Sequence, residues 1–153
     1  MPPDPVVPAC RLAIDHYVPA AGNAMRAVDA VVRRFAMPAG LADLVRLRAA
    51  QLNGCAFSVD AHSRDALAHE ETERRVLALP VWRETPFFTA EERAALDLAE
   101  TMTRLAERPV PDASFDAAAA VFSAQTLAEL IWVIAVANAW QRIGATTRVW
   151  RLE

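Results

Sequence analysis

Glycine is scarce in this chain, four residues in 153, and cysteine is scarcer, with only Cys10 and Cys55. So little glycine beside so much alanine, leucine and valine argues against a turn-rich β architecture and favours helices. Two cysteines cannot build a disulfide framework, which agrees with a reducing compartment. No apolar run approaches the roughly 20 residues needed to span a bilayer. The most apolar run is Leu130 to Ala137. Residues Met1 to Ala9 have neither a basic n-region nor an apolar h-region, so they do not read as a secretory signal. Excess positive charge is missing too: the formal net charge is −3, with acids and bases interspersed and no basic stripe for a phosphate backbone. These absences lead to the expectation of a soluble, cytoplasmic, single-domain protein that binds neither nucleic acid nor membrane.

What is present is organised around the stretch from Asp43 to His69. Leu41, Leu44, Val45, Ala49 and Leu52 form the inner stripe of one helix, Asn53-Gly54 breaks it, and a second helix opens at Cys55. Along that second helix Cys55, Ser58, His62 and His69 follow at intervals of three, four and seven residues, which places them on one face. A thiol at the start of a helix faces unpaired N–H groups and the positive end of the dipole, and both favour the thiolate. Cys55 is therefore the best nucleophile candidate. Asp43 suits the start of its own helix, while His69, at the far end of the second, merely suits a negative dipole end.

The rest of the chain reads as further helices. Residues 1–10 form a proline-rich arm, 11–145 a helical domain and 146–153 a tail. Pro19 makes a first helical position, and Met25, Val28, Val32 and Phe35 mark a stripe after it. Glu70 to Arg75 reads as a solvated charged stretch. Thr89 and Glu92 make a capping box for a helix from Ala90 to about Glu107, with Leu98, Met102 and Leu105 inside. Asp112 is read as the cap of a shorter helix through Phe122, and Ser123 as the cap of a last long helix ending near Gly144. That last helix is apolar nearly all round, the pattern of a central helix or a subunit interface.

The stretch Asp43-Leu-Val-Arg-Leu-Arg-Ala-Ala-Gln-Leu-Asn-Gly-Cys55-Ala-Phe-Ser58-Val-Asp-Ala-His62 closely resembles the core motif of the alkylhydroperoxidase D and carboxymuconolactone decarboxylase family. Glu71-Thr-Glu-Arg-Arg, Trp82-Arg-Glu-Thr-Pro-Phe-Phe-Thr and Ala137-Asn-Ala-Trp140-Gln-Arg resemble other segments of its shorter members, so the likeness covers nearly the whole chain. The family motif has an acidic residue twelve positions before a Cys-x-x-Cys pair and a histidine four after it. Asp43, Cys55, Ser58 and His62 take those positions. Asp43 stands where glutamate is usual, and Ser58 where the second cysteine should be. The resemblance implies an all-α, single-domain bundle of about six to eight helices, a homotrimer or homohexamer, a small-molecule substrate and no cofactor or metal. It also implies peroxiredoxin-type antioxidant chemistry, with Cys55 as thiol and Asp43 and His62 as proton-handling groups.

A hydroxyl cannot traverse the sulfenic-to-disulfide cycle, so Ser58 removes the two-cysteine route within the motif. Three readings stay open. Cys55 acts alone on a peroxide, is oxidised to the sulfenic acid and is reduced by an external thiol. Alternatively Asp43, Ser58 and His62 do acid–base work on a small organic acid, as in the non-redox decarboxylase-like members. In the third reading the pocket is inactive and the protein is a small-molecule-binding oligomer. Cys10 resolves Cys55 only where the arm folds over the motif. Cys55, His62 and His69 are about two turns apart, roughly 10 Å along the helix, too far to share one metal ion. Asn138 and Trp140 read as packing and hydrogen-bonding residues.

Overall fold

The computed structural model describes residues 6 and 8–152. Eight α-helices follow in order: α1 Ile14–Tyr17, α2 Pro19–Val32, α3 Ala39–Asn53, α4 Ala56–Ala68, α5 Glu73–Ala78, α6 Ala90–Thr103, α7 Asp112–Val121 and α8 Ala124–Thr147. A 3-10 segment, Leu79–Glu84, links α5 to α6, and no strand occurs among the described residues. Among the described residues no helix is long and apolar enough to cross a membrane. The expected extended arm over residues 1–5, and residue 7, lie outside the described residues.

Helix α3 is the hub, packed against α4, α6 and α8. Every residue from Leu41 to Ala50 is buried, so this helix is enclosed on all sides rather than amphipathic. Its apolar side chains, Leu44, Val45 and Leu47, meet a core that includes Leu96, Leu98, Leu130 and Ile134. Its charged ones are enclosed because each finds a partner. Arg48 Nε donates to Glu100 Oε1 at 2.6 Å, and the same oxygen accepts from the Trp82 indole at 2.9 Å. Burial raises the affinity of Glu100 for a proton, but hydrogen bonds from Arg83, Trp82 and Arg48 outweigh it and hold the pKa below its ordinary value.

Most helix starts follow local chemistry. Pro19 occupies the first position of α2, Thr89 and Glu92 form a complete capping box on α6, and Ser123 Oγ accepts from Thr126 N at 3.1 Å to cap α8. Several expectations need correction. Helix α6 stops at Thr103, so Leu105 lies beyond it and is exposed. Pro111, not Asp112, is the N-cap of α7. Helix α8 continues to Thr147, which puts the tail's start at Arg148, in a left-handed conformation. The Glu70 to Arg75 stretch is not simply solvated, because Arg75 pairs with Glu71 and Glu92 and stacks over the Phe88 ring. Helix α8 is buried along Leu130, Val133, Ile134 and Ala137 but leaves Trp132 exposed.

Candidate functional site

The turn between α3 and α4 presents the thiol. Gly54 ends α3 with φ +64, a backbone conformation that glycine adopts at little cost. Asn53, just before it, is anchored to α8: its Nδ2 donates to Gln141 Oε1 at 2.8 Å and to Asn138 Oδ1 at 3.0 Å. Gln141 is fully buried and donates onward to the Arg46 carbonyl. Asn138 thus serves as the hydrogen-bonding residue expected of it, and this network fixes where Cys55 sits.

Cys55 is the N-cap residue of α4, with extended backbone. Its side chain does not cap the helix but turns inward, and the thiol donates to Ser58 Oγ at 3.2 Å. The residue itself is buried, yet it borders a cavity of about 500 Å³ whose walls include Phe57, Gly144, Arg148, Trp150 and Leu152. Most of that wall is apolar. Trp150 folds back from the tail between Phe57 and Trp140, each at a ring separation of 5.6 Å. Gly144 permits this packing: a Cβ there would lie 2.7 Å from the Trp150 ring and 3.0 Å from the Cys55 sulfur.

The acidic and imidazole groups sit elsewhere. Asp43 is buried, and its Oδ2 accepts from His69 Nδ1 at 2.6 Å, while its Oδ1 faces Arg46 at 3.5 Å. Among the described residues neither Asp43 nor His62 hydrogen-bonds Cys55 or Ser58, so no Ser58–His62–Asp43 triad forms. The His62 Nδ1 has no hydrogen-bond partner among the described residues and lies 3.6 Å from Asp65. Asp43, Arg46, Asp65 and His69 line a second, smaller cavity of about 270 Å³. The sequence positions therefore divide: Cys55 borders one cavity with Ser58 bonded to its thiol, Asp43 lines the other, and His62 is in the lining of neither. No group of three or more His, Cys, Asp or Glu side chains gathers as a metal site among the described residues.

Sequence reasoning gives Arg46 no role, sets His69 aside as a helix-end histidine, and reads the tail as reaching a neighbouring subunit through Trp150, whereas Trp150 packs on Phe57 and Trp140 of its own chain. Reflecting the α3–α4 hairpin about Gly54 sets Asp43 opposite Asp65, about one turn short of His69, so no local signal pairs Asp43 with His69. Nothing in the local pattern points Trp150 at Cys55.

Burial pushes the His62 pKa below its ordinary 6.5, and the nearby Arg46 charge pushes the same way. The imidazole is thus held neutral in the fold while the unfolded chain takes up a proton, so stability is full above about pH 6.5 and declines as pH falls below it. Denaturant unfolding between pH 7.5 and 5.5 should show a slope of up to about 1.4 kcal/mol per pH unit from this group. The His62→Gln variant should be shallower over that window, and an unchanged slope would exclude the assignment.

The carboxymuconolactone decarboxylase family model matches residues 19–101, more than half of the chain. The uncharacterized protein YdfG of Bacillus subtilis is 37% identical over 101 residues, which are 66% of this chain and 69% of YdfG. The crystal structure of ATU0492 from Agrobacterium tumefaciens, a protein of unknown function suggested to be an antioxidant defence AhpD, superposes with a TM-score of 0.90. It is 30% identical and the match covers 95% of this chain and 99% of that one. An uncharacterized peroxidase-related protein with an alkylhydroperoxidase AhpD core, from Ralstonia eutropha JMP134, shares the fold at a TM-score of 0.76 and 18% identity, over 92% of this chain and 75% of its own.

Proposed function

The chain belongs to the carboxymuconolactone decarboxylase family, and from that premise we propose that it is a thiol peroxidase in which Cys55 reduces an organic hydroperoxide. The observation that carries this reading is the Cys55 sulfur at the mouth of α4, bordering a largely apolar cavity and touching the Ser58 hydroxyl at 3.2 Å. The Cys55 thiolate attacks the terminal peroxide oxygen, the O–O bond breaks, and the alkoxide takes a proton to leave as alcohol. Cys55 is left as a sulfenic acid, which one external thiol converts to a mixed disulfide with release of water; a second thiol then reduces that bond, freeing Cys55 and leaving the two external thiols joined as a disulfide. Ser58 is placed to hydrogen-bond the sulfur throughout. His62 and the Asp43–His69 pair, which make no hydrogen bond to the sulfur, serve as proton-exchanging groups further along the hairpin.

The walls favour a substrate with an apolar body: Phe57, Trp150 and Leu152 offer surface that hydrogen peroxide cannot use. Thiol-dependent consumption of cumene hydroperoxide should therefore exceed that of hydrogen peroxide, and Cys55→Ser should reduce both to the background rate. Full activity in Cys55→Ser would exclude the reading.

One observation favours a second reading, acid–base work on a small organic acid. Arg46 is buried, its only acidic contact among the described residues is Asp43 at 3.5 Å, and it faces the smaller cavity beside His69. A guanidinium so placed suits a carboxylate ligand. Turnover of a lactone or β-keto acid that survives Cys55→Ser but is lost in Arg46→Gln and in His69→Ala would establish it.

The chain is further proposed to assemble as a homo-oligomer, a trimer or hexamer, with Trp132, on the exposed side of α8 together with Ala128 and Ala135, in the contact. Light scattering should give a multiple of 16.7 kDa that Trp132→Arg reduces. A monomeric wild type would contradict it.

A further inference from the structure

The two cysteines of this chain are 45 residues apart in sequence, yet both border the last turns of α8. Cys55 Sγ lies 3.0 Å from where a Cβ on Gly144 would sit. Cys10 Sγ lies 3.9 Å from the Thr147 carbonyl oxygen. Gly144 and Thr147 are three residues apart, so they are surface neighbours separated by about 4.5 Å along the helix axis. The arm that carries Cys10 is pinned beside them, because Arg11 N and Leu12 N both donate to that same Thr147 oxygen, at 2.8 and 3.3 Å. Further out, Val6 and Pro8 form part of the wall of the cavity that Cys55 borders. The described part of the arm therefore runs beside the last turn of α8, at the rim of the cavity that Cys55 borders.

We propose that Cys10 is the resolving thiol for Cys55, taking over the role that Ser58 cannot perform. The inference rests on the reading of Cys55 as the peroxide-attacking thiol. After that attack Cys55 is a sulfenic acid. The Cys10 thiolate attacks its sulfur, the S–O bond breaks, and hydroxide leaves and takes a proton to become water. A Cys10–Cys55 disulfide results, two electrons having passed to the hydroperoxide. An external dithiol reduces that bond, is itself oxidised to a disulfide, and returns both cysteines to thiols.

The geometry says what must move. A disulfide needs its two Cα atoms within about 7 Å. The Trp150 ring lies against the same face of Gly144 as Cys55, at 2.7 to 2.8 Å from the Cβ position, so it has to swing aside as the arm advances. Both segments lie outside the helices. The described arm leading to Cys10 is irregular, held after Cys10 by Arg11 N and Leu12 N to the Thr147 carbonyl and by Arg11 Nη1 to the Thr146 carbonyl, and Trp150 lies in the tail beyond the end of α8. Arm and tail are thus a paired cover over the thiol.

The test treats full-length wild type and the Cys10→Ser variant with one equivalent of cumene hydroperoxide in the presence of dimedone, followed by non-reducing peptide mapping. In wild type, two thiols per chain should be lost, a Cys10–Cys55 linked peptide should appear, and dithiothreitol should restore both thiols. In Cys10→Ser, the dimedone adduct on Cys55 should accumulate to at least about tenfold the wild-type yield. That ratio corresponds to about 1.4 kcal/mol of kinetic advantage for resolution over trapping. Equal adduct yields with no linked peptide would overturn the resolving role while leaving the peroxidase reading intact. A disulfide found only between chains would overturn it as well. No adduct on Cys55 in Cys10→Ser would instead remove the peroxidase reading, and the resolving role with it.

Discussion

Replacing Ser58 with cysteine should convert the motif into a dithiol peroxidase. The Ser58 oxygen already touches the Cys55 sulfur at 3.2 Å, and a sulfur in its place needs only a small rotamer adjustment to reach the bonding distance of about 2.05 Å. Cys55 at the N-cap and residue 58 three positions on share one turn of α4, so no backbone has to move. The variant should form an internal disulfide within one peroxide equivalent. In a Cys10→Ser background, which removes the other resolving thiol, the added cysteine should raise dithiothreitol-dependent turnover of cumene hydroperoxide at least about tenfold, a barrier change of about 1.4 kcal/mol. A gain in disulfide without a gain in turnover would mean that the attacking step, rather than resolution, is limiting in that background. Free thiols at both positions after peroxide would contradict the thiol–hydroxyl geometry itself. Ser58 is buried, so the larger atom also tests whether this corner accepts added volume.

Glu100→Ala should be the most destabilising single change of a charged residue. The carboxylate is the hub of the enclosed charges, accepting from Arg48, Trp82 and Arg83. Removing it leaves the Arg48 guanidinium inside the fold with only its bond to Gln51 Oε1 at 3.1 Å, and leaves the Trp82 indole N–H without an acceptor. Breaking a buried pair in this way costs about 3–5 kcal/mol, or a fall in Tm of roughly 6–20 °C for a chain of this size. Glu100→Gln, which keeps an acceptor oxygen, should lose less. The sign of the pH dependence follows from the lowered pKa: the contribution is present above the ordinary carboxylate value of 4.5 and fades as pH falls through the folded value. A Tm within a degree or two of wild type in Glu100→Ala would show that Arg48 finds water instead.

How much of this was legible in the sequence depends on the range of each interaction. The α3–α4 hairpin was legible because its determinants are local: the helical spacing of Leu41, Leu44 and Val45, the Asn53-Gly54 break, and the position of Cys55 just after it. The caps at Thr89 and Ser123 and the proline at the start of α2 were legible for the same reason. The resemblance supplied the arrangement of these helices, and the ATU0492 match agrees with it.

What was not legible depends on partners far along the chain. Arg48 looks like a surface residue until Glu100 is set beside it 52 positions later. Asp43 and His62 share a motif, yet the imidazole that reaches Asp43 belongs to His69, which a dipole argument alone had set aside. The environment of Cys55 is likewise tertiary. Its cavity is closed by an arm from one end of the chain and Trp150 from the other, and the space for that tryptophan exists because residue 144 is glycine. Helix ends failed where a short turn replaced a continuing helix, as at Thr103, or where a proline displaced the expected capping side chain, as at Pro111.

The site thus consists of a buried thiol facing apolar space, with its acid–base groups held at a distance. The most direct measurement is peptide-level mass spectrometry of wild type after cumene hydroperoxide and dimedone, with iodoacetamide as the probe of unreacted thiols. Oxidation should appear at Cys55 within the first equivalent of peroxide, as the dimedone adduct or as a linked peptide, ahead of any change at the methionines. A Cys55 that stays fully reduced while methionines oxidise, and that iodoacetamide reaches only on unfolding, would contradict the account.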